Sequence, residues 1–285
     1  MGTWGRRASA VLVAAVVLGF VVASAPLAAP APAVPAPYDG PLWTAPDPAV
    51  PLWEDPGAAG RAITCDAPVL GWTSTTPFTG GEVGETPDLA LSEARDERSW
   101  DGLDMQVVRQ EPDRVLYTYA AGGRTLQAAV VHLGPAVEGT GAGPDGIAWW
   151  VESFARCDIA EYPLGVAESR GFEVWTDPGG RRVSTRVVSS RTGGDCLTGG
   201  IRILELGRGD PAGPERTYLA HPESYPEAVR EPYREGVALP ADATDTGYLH
   251  GREHLWLSAD QERAYVGDAD RVDLWPRGRD VPACG

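Results

Sequence analysis

The 285-residue chain contains neither lysine nor asparagine. Every basic side chain is therefore an arginine, and no N-glycosylation acceptor exists. Both absences read as a compositional bias without functional meaning. Positive charge is also short overall: 24 arginines face 40 acids, for a net charge of -16. A field of that sign repels nucleic acid and anionic headgroups, so nucleic acid is not an expected partner. Several motifs are missing as well. Without CxxC there is no zinc knuckle or dithiol redox site. Without G-x-S-x-G the α/β-hydrolase arrangement has no foothold. No glycine-rich fingerprint links a strand to a helix, which removes dinucleotide and phosphate-loop binding. No segment reads as a long amphipathic helix, and no cofactor is implied.

Charge is missing locally too. After Arg6 and Arg7 none appears until Asp39, and residues 8–25 are almost wholly apolar. A basic start, an apolar run and small residues beyond it make a secretory signal. Ala23-Ser24-Ala25 and Ala31-Pro32-Ala33 are candidate cleavage sites. The run also approaches the roughly 20 residues that span a bilayer, so an uncleaved anchor is the alternative. In either case the arginines keep to the cytoplasmic face and the bulk of the chain lies outside. The expected organisation is a signal or anchor over residues 1–33, a Pro/Ala tether over 34–60, and one domain over 61–285. Loss of a signal that holds Arg6, Arg7 and no acid takes the net charge to -18.

Four cysteines, Cys65, Cys157, Cys196 and Cys284, form an even set in an exported chain and read as two disulfides. Four cysteines allow three connectivities. Cys157–Cys196 would join neighbouring strands, and Cys65–Cys284 would tie the first folded residues to the last.

Strand signals dominate the rest. Residues 115–119 and 125–131 flank Gly122-Gly123 as a hairpin, and residues 172–175 and 181–188 flank Pro178-Gly179-Gly180 as another. Val183, Thr185 and Val187 alternate with polar residues, as on a half-buried strand. Residues 255–257 and 264–266 make a third hairpin, and residues 272–275 a final strand. Further strands are expected over 105–108, 147–154 and 201–206. Thr86 would cap a helix running to about Ser99, with Pro87 in its first position, and residues 223–230 would add a turn or two. These signals predict an all-β, mainly antiparallel fold, a sandwich or partly open barrel, with one or two short helices.

The closing segment (Gly247-Tyr248-Leu249, Leu255-Trp256-Leu257, Leu274-Trp275-Pro276-Arg277 and Cys284), with Cys157-Asp158 and Gly193-Gly194-Asp195-Cys196, resembles a group of exported β-rich domains from high-GC Gram-positive bacteria. The resemblance covers residues 149–284. That group has no assigned activity, so it implies one exported β-rich domain and no catalytic residue.

Four constellations could carry chemistry. His250-Gly251-Arg252-Glu253-His254 spells H-x-x-E-H, in which two histidines on one helix face bind zinc. Gly247 and Gly251 bracket it and a strand follows, so a hairpin is expected in place of the helix, and no metal. Asp242, Thr244, Thr246, Gly247 and Glu253 fall at calcium-loop positions, but with neutral threonines at two of them an Asx-type turn is the simpler reading. Ser258-Ala259-Asp260 starts like the Asp-box turn of propeller enzymes such as sialidases and lacks its glycine and closing Thr-Trp. Glu152, Asp158 and Glu161, near Trp149-Trp150, are the first choices for a glycosidase carboxylate pair.

Tryptophan is abundant, at 10 residues. Trp175 and Trp256 lie opposite in phase to Val174, Leu255 and Leu257, so one or both could face outward and stack on a sugar or a partner, with core or cross-strand packing the simpler reading. The sequence thus favours a non-catalytic binding module whose partner is a cell-envelope glycan or an extracellular protein. Contact with a membrane would come only through the N-terminal anchor. The alternative is an exported hydrolase acting on a glycan through paired carboxylates.

Overall fold

The computed structural model describes residues 37–76, 83–96, 103–135, 146–183, 187–191, 201–207, 216–222 and 226–279. The signal segment, Cys196 and Cys284 lie outside them. No helix among the described residues is long and apolar enough to cross a membrane. The fold is all-β and mainly antiparallel, with a few short helices and, among the described residues, no closed barrel.

Six strands form the first sheet: β1 (Leu70–Thr73), β2 (Val83–Gly84), β3 (Gln106–Gln110), β4 (Arg114–Ala121), β5 (Arg124–Pro135) and β6 (Ile147–Arg156). Their order is β1-β6-β5-β4-β3, with β2 also on β6. The β4–β5 hairpin is the one expected from the sequence: Gly122 and Gly123 take φ of 60° and 80°, a region that L side chains rarely adopt. β5 is apolar on both faces because both are covered. Helix α1 (Gly57–Arg61) and Leu42 pack on one, and helix α2 (Pro87–Asp96) on the other. Thr86 caps α2 as predicted, its hydroxyl accepting the Leu89 N–H at 3.2 Å.

Leu42, Ala58 and Ala59 are all buried, so folded structure starts before Arg61 and includes the end of the presumed tether. The alanines that suggested a tether are small enough to let α1 lie against the sheet.

The rest of the chain makes two further sheets. β7 (Phe172–Glu173), β10 (Val187–Arg191), β11 (Arg202–Leu206) and β12 (Arg216–Ala220) form a four-stranded one, in the order β12-β11-β10-β7. β8 (Trp175–Thr176), β9 (Arg182–Val183), β13 (Arg234–Val237), β14 (Thr244–His250), β15 (Glu253–Leu257), β16 (Arg263–Asp268) and β17 (Arg271–Pro276) form a seven-stranded one, in the order β13-β17-β16-β15-β14-β8-β9. Val187, Leu204, Leu206 and Tyr218 of the smaller sheet pack on Trp175, Leu255, Val266 and Trp275 of the larger. This is a two-layer core. The chain passes from one sheet to the other at Val174, between β7 and β8. A 3-10 turn (Ile159–Glu161) and helix α3 (Leu164–Ser169) precede β7 and pack with Leu126 and Cys157.

Cys157 bonds to Cys65, with Cα atoms 5.2 Å apart, and not to Cys196; the expected Cys65–Cys284 pair falls with it. The reason is topological. Cys157 continues β6, its N–H bonded to Leu126, while Thr64 is held by Thr125 on the adjoining strand. Cys196 follows β10, which belongs to a different sheet.

Candidate functional site

Strand alternation explains the core of the sandwich and also its exception. Residues 202, 204 and 206 of β11 share one face, as do 187 and 189 of β10, and 253, 255 and 257 of β15. Leu204, Leu206, Val187 and Leu255 are core. The same inward phase places Arg202, Ser189 and Glu253 toward the opposing sheet, where they meet Glu173 of β7 and His250 of β14.

The contacts are tight. Arg202 Nη2 donates to Glu173 Oε2 at 2.5 Å and lies 3.8 Å from Glu253 Oε2. Ser189 Oγ donates to the same Glu173 oxygen at 3.0 Å. His250 Nδ1 stands 3.4 Å from Glu253 and 3.9 Å from Glu173. Trp175 lies 5.6 Å from the imidazole, and the Arg202 guanidinium sits 4.9 Å above Trp275. Glu173 is 9% exposed, whereas His250 and Glu253 are 35% and 41% exposed, so the cluster opens to solvent on its histidine side.

Burial pushes the Glu173 carboxyl up, but the Arg202 hydrogen bond and charge, with Ser189, outweigh it and hold the group below the usual carboxylate range. Glu253 is held low first by its hydrogen bond to His250, against desolvation. Arg202 Nε, Trp175 Nε1 and Trp275 Nε1 are buried without an acceptor among the described residues. Buried donors are ordinarily paired, and each exception calls for an explanation.

Glu173, His250 and Glu253 each offer a ligand atom within 4.8 Å of the others. They could hold a divalent ion only if Arg202 moved, because its guanidinium already supplies a positive charge against both carboxylates. A second grouping, Cys65, Cys157 and Glu161, has its sulfurs joined to each other, so they are not thiolate ligands.

The H-x-x-E-H stretch is a hairpin, as its glycines predict. His250 pairs with Glu253, and His254 with Leu249, across a turn in which Gly251 takes φ of 62°. His254 stacks on Trp256 away from the cluster, so the two histidines do not share a site. The calcium-like spacing is strand β14 with a local turn, Asp245 accepting the Gly247 N–H at 2.7 Å. Ser258 and Asp260 close the β15–β16 hairpin, which belongs to a continuous sheet.

Glu152, Asp158 and Glu161 do not converge on one another. Glu152 is buried and forked by Arg114 at 2.9 and 3.0 Å, with His132 Nδ1 3.2 Å away but not aligned for a hydrogen bond. Asp158 caps the 3-10 turn through the Ala160 N–H. Glu161 accepts the N–H groups of Asp66 and Ala67 and a bond from Arg124. Asp158 and Glu161 do line a cleft of about 710 Å³, together with Asp66, Arg124, Asp177, Arg181, Arg182 and Tyr248.

Neither Trp175 nor Trp256 is open to solvent; they are 0% and 6% exposed. Alternation misled for Trp175 because the strand breaks at Val174 and the chain changes sheets there. Trp256 does lie on the outer face of its sheet, but Val237, Leu239 and Ala243 cover it. Among the described residues the exposed tryptophans are Trp43 and Trp53, in the segment before α1.

Sequence reasoning named His250 and Glu253 and missed Glu173 and Arg202. The available signal was a charged residue at inward phase: Arg202 two positions before Leu204 and four before Leu206. No protein-family model, curated protein or solved structure matches the chain.

Proposed function

We propose that the chain is an exported hydrolase whose acid–base centre is His250 with Glu253, supported from beneath by Glu173 and Arg202. The observation that carries this reading is the convergence of two glutamates on one solvent-open imidazole at the end of a rigid sandwich. With both carboxylates held ionised, neither supplies a proton at neutral pH. The imidazole, open to solvent and 3.4 Å from Glu253, is the group placed to give and take one. Glu253, open to solvent and ionised, serves as base or nucleophile. Glu173, spoken for by Arg202 and Ser189, orients and does not react.

The substrate class that fits is a glycan of the cell envelope. Glycosidic cleavage needs a carboxylate with a general acid beside it, here Glu253 with the His250 imidazole in the acid's place, and an exported enzyme meets such polymers first. A tryptophan-mediated binding module, in contrast, has lost the two rings assigned to it. Purified protein incubated with cell-wall polysaccharides, read by new reducing ends, tests the proposal. Glu253→Gln and His250→Gln should each cut turnover about 100-fold or more while the protein still melts cooperatively. No turnover of any glycan, or variants as active as wild type, would end it.

A further inference from the structure

Three arginines, Arg124, Arg181 and Arg182, and four carboxylates line the cleft beside the 3-10 turn, and each carboxylate already takes at least one donor. Glu161 takes two backbone N–H groups and Arg124. Asp177 takes the Gly179 and Arg181 N–H groups and the Arg181 side chain. Asp158 takes Ala160, and Asp66 takes Arg124.

The guanidinium groups stand differently. Arg124 uses only Nη1, on Asp66 and Glu161. Arg182 uses only Nη1, on the Ala160 and Tyr162 carbonyls at 3.0 and 2.8 Å. A guanidinium carries five N–H donors in a planar fork. The Nε and Nη2 donors of both arginines therefore have no partner among the described residues. Both arginines also grip the same three-residue turn, Arg124 through Glu161 and Arg182 through Ala160, which fixes where their spare donors sit.

We infer that this cleft binds the anionic group, carboxylate or phosphate ester, of a polar ligand. Unused arginine forks match the paired oxygens of such groups bidentately. The volume, about 710 Å³, lies within the range of small-ligand sites. Four carboxylates against three arginines leave the lining one charge negative, so recognition rests on the bidentate match to the spare guanidinium donors and not on net charge.

The cleft and the acid–base cluster share strand β14. Tyr248 lines it, and His250 lies two residues further along β14 in the same phase, roughly 7 Å away. Asp177 likewise follows Trp175 and Thr176 of β8, where Thr176 pairs with Leu249. Binding at the cleft stands on its own geometry and does not require that His250 and Glu253 cleave anything.

Calorimetric titration at fixed ionic strength tests it with three probes: digalacturonate, glycerol phosphate and neutral cellobiose. At least one anionic probe should bind at least tenfold more tightly than cellobiose, and which of the two prevails identifies carboxylate or phosphate as the group taken. Arg182→Gln and Arg124→Gln should each weaken that probe at least fivefold. Arg182→Lys, which keeps the charge and loses the fork, should recover only part of the affinity. Equal binding of neutral and anionic probes by wild-type protein, or binding of neither anion, overturns the inference whether or not the variants fold. Undiminished binding by well-folded variants overturns it too. Loss of glycan hydrolysis with probe binding intact would sink only the proposed activity.

Discussion

At the scale of single residues, His132 shows how a buried base writes pH into stability. Burial lowers its pKa below the ordinary value of 6.5, and the Glu152 charge opposes this without prevailing. Below 6.5 the unfolded chain therefore binds a proton that the folded chain still refuses, and stability falls as pH drops through that window. Glu173 and Glu253, both held low, add a further loss at pH below their ordinary 4.5, where the unfolded carboxylates protonate first. The melting temperature should thus decline in two stages on acidification. His132→Gln, which cannot titrate, should flatten the first stage and leave the second. An unchanged first stage in that variant would assign it to another group. Glu152 is the reason for choosing His132 as the site of substitution: removing the carboxylate would strand Arg114, a loss of about 3–5 kcal/mol that would mask any titration.

At the scale of elements, β1 depends on one missing side chain. Gly71 lies opposite Ala155, and a Cβ there would sit 2.3 Å from the Phe154 carbonyl oxygen and 2.7 Å from Pro56. The carbonyl is backbone and cannot swing aside, so Gly71→Ala should push β1 from β6 and cost roughly 1–3 kcal/mol, read by chemical denaturation. An unaltered midpoint would mean that β1 contributes little. β1 was not legible in the sequence, and the reason is physical: four residues holding a glycine carry no alternation to read. β4, β5, β6, β15, β16 and β17 were legible because their apolar phase is long or their turns hold glycines. The site was half legible. His250 and Glu253 drew attention as a motif, for a metal reason that the hairpin removes. Glu173 and Arg202 reach them only through the stacking of two sheets, and strand phase alone does not say which strands face each other.

For the whole molecule, the Cys65–Cys157 bond closes a loop with a sequence separation of 92. In the loop-entropy estimate such a link is worth about 4–5 kcal/mol. It ties the segment after α1 to the end of β6. By count, Cys196 and Cys284 are left for each other, and an exported chain should carry no free thiol. Thiol titration of denatured, unreduced protein should read near zero, and peptide mapping should recover Cys65 with Cys157. Replacing both of these by alanine should lower the melting temperature by roughly 8–20 °C. Two free thiols per chain would leave Cys196 and Cys284 unpaired and weaken the case for export.

The crossing at Val174 has a mechanical consequence. Glu173 rides on the small sheet, and His250 and Glu253 ride on the large one, so the gap among them measures the separation of the two layers. A single residue joins the layers there, as a spine joins two covers. The far edge is tied as well: β12 bridges the end of β17 at Tyr218 and Arg277, and the Gly278 N–H donates to the Thr217 carbonyl. With both edges held, the spacing among Glu173, His250 and Glu253 responds to anything that lengthens or stiffens the chain at residue 174.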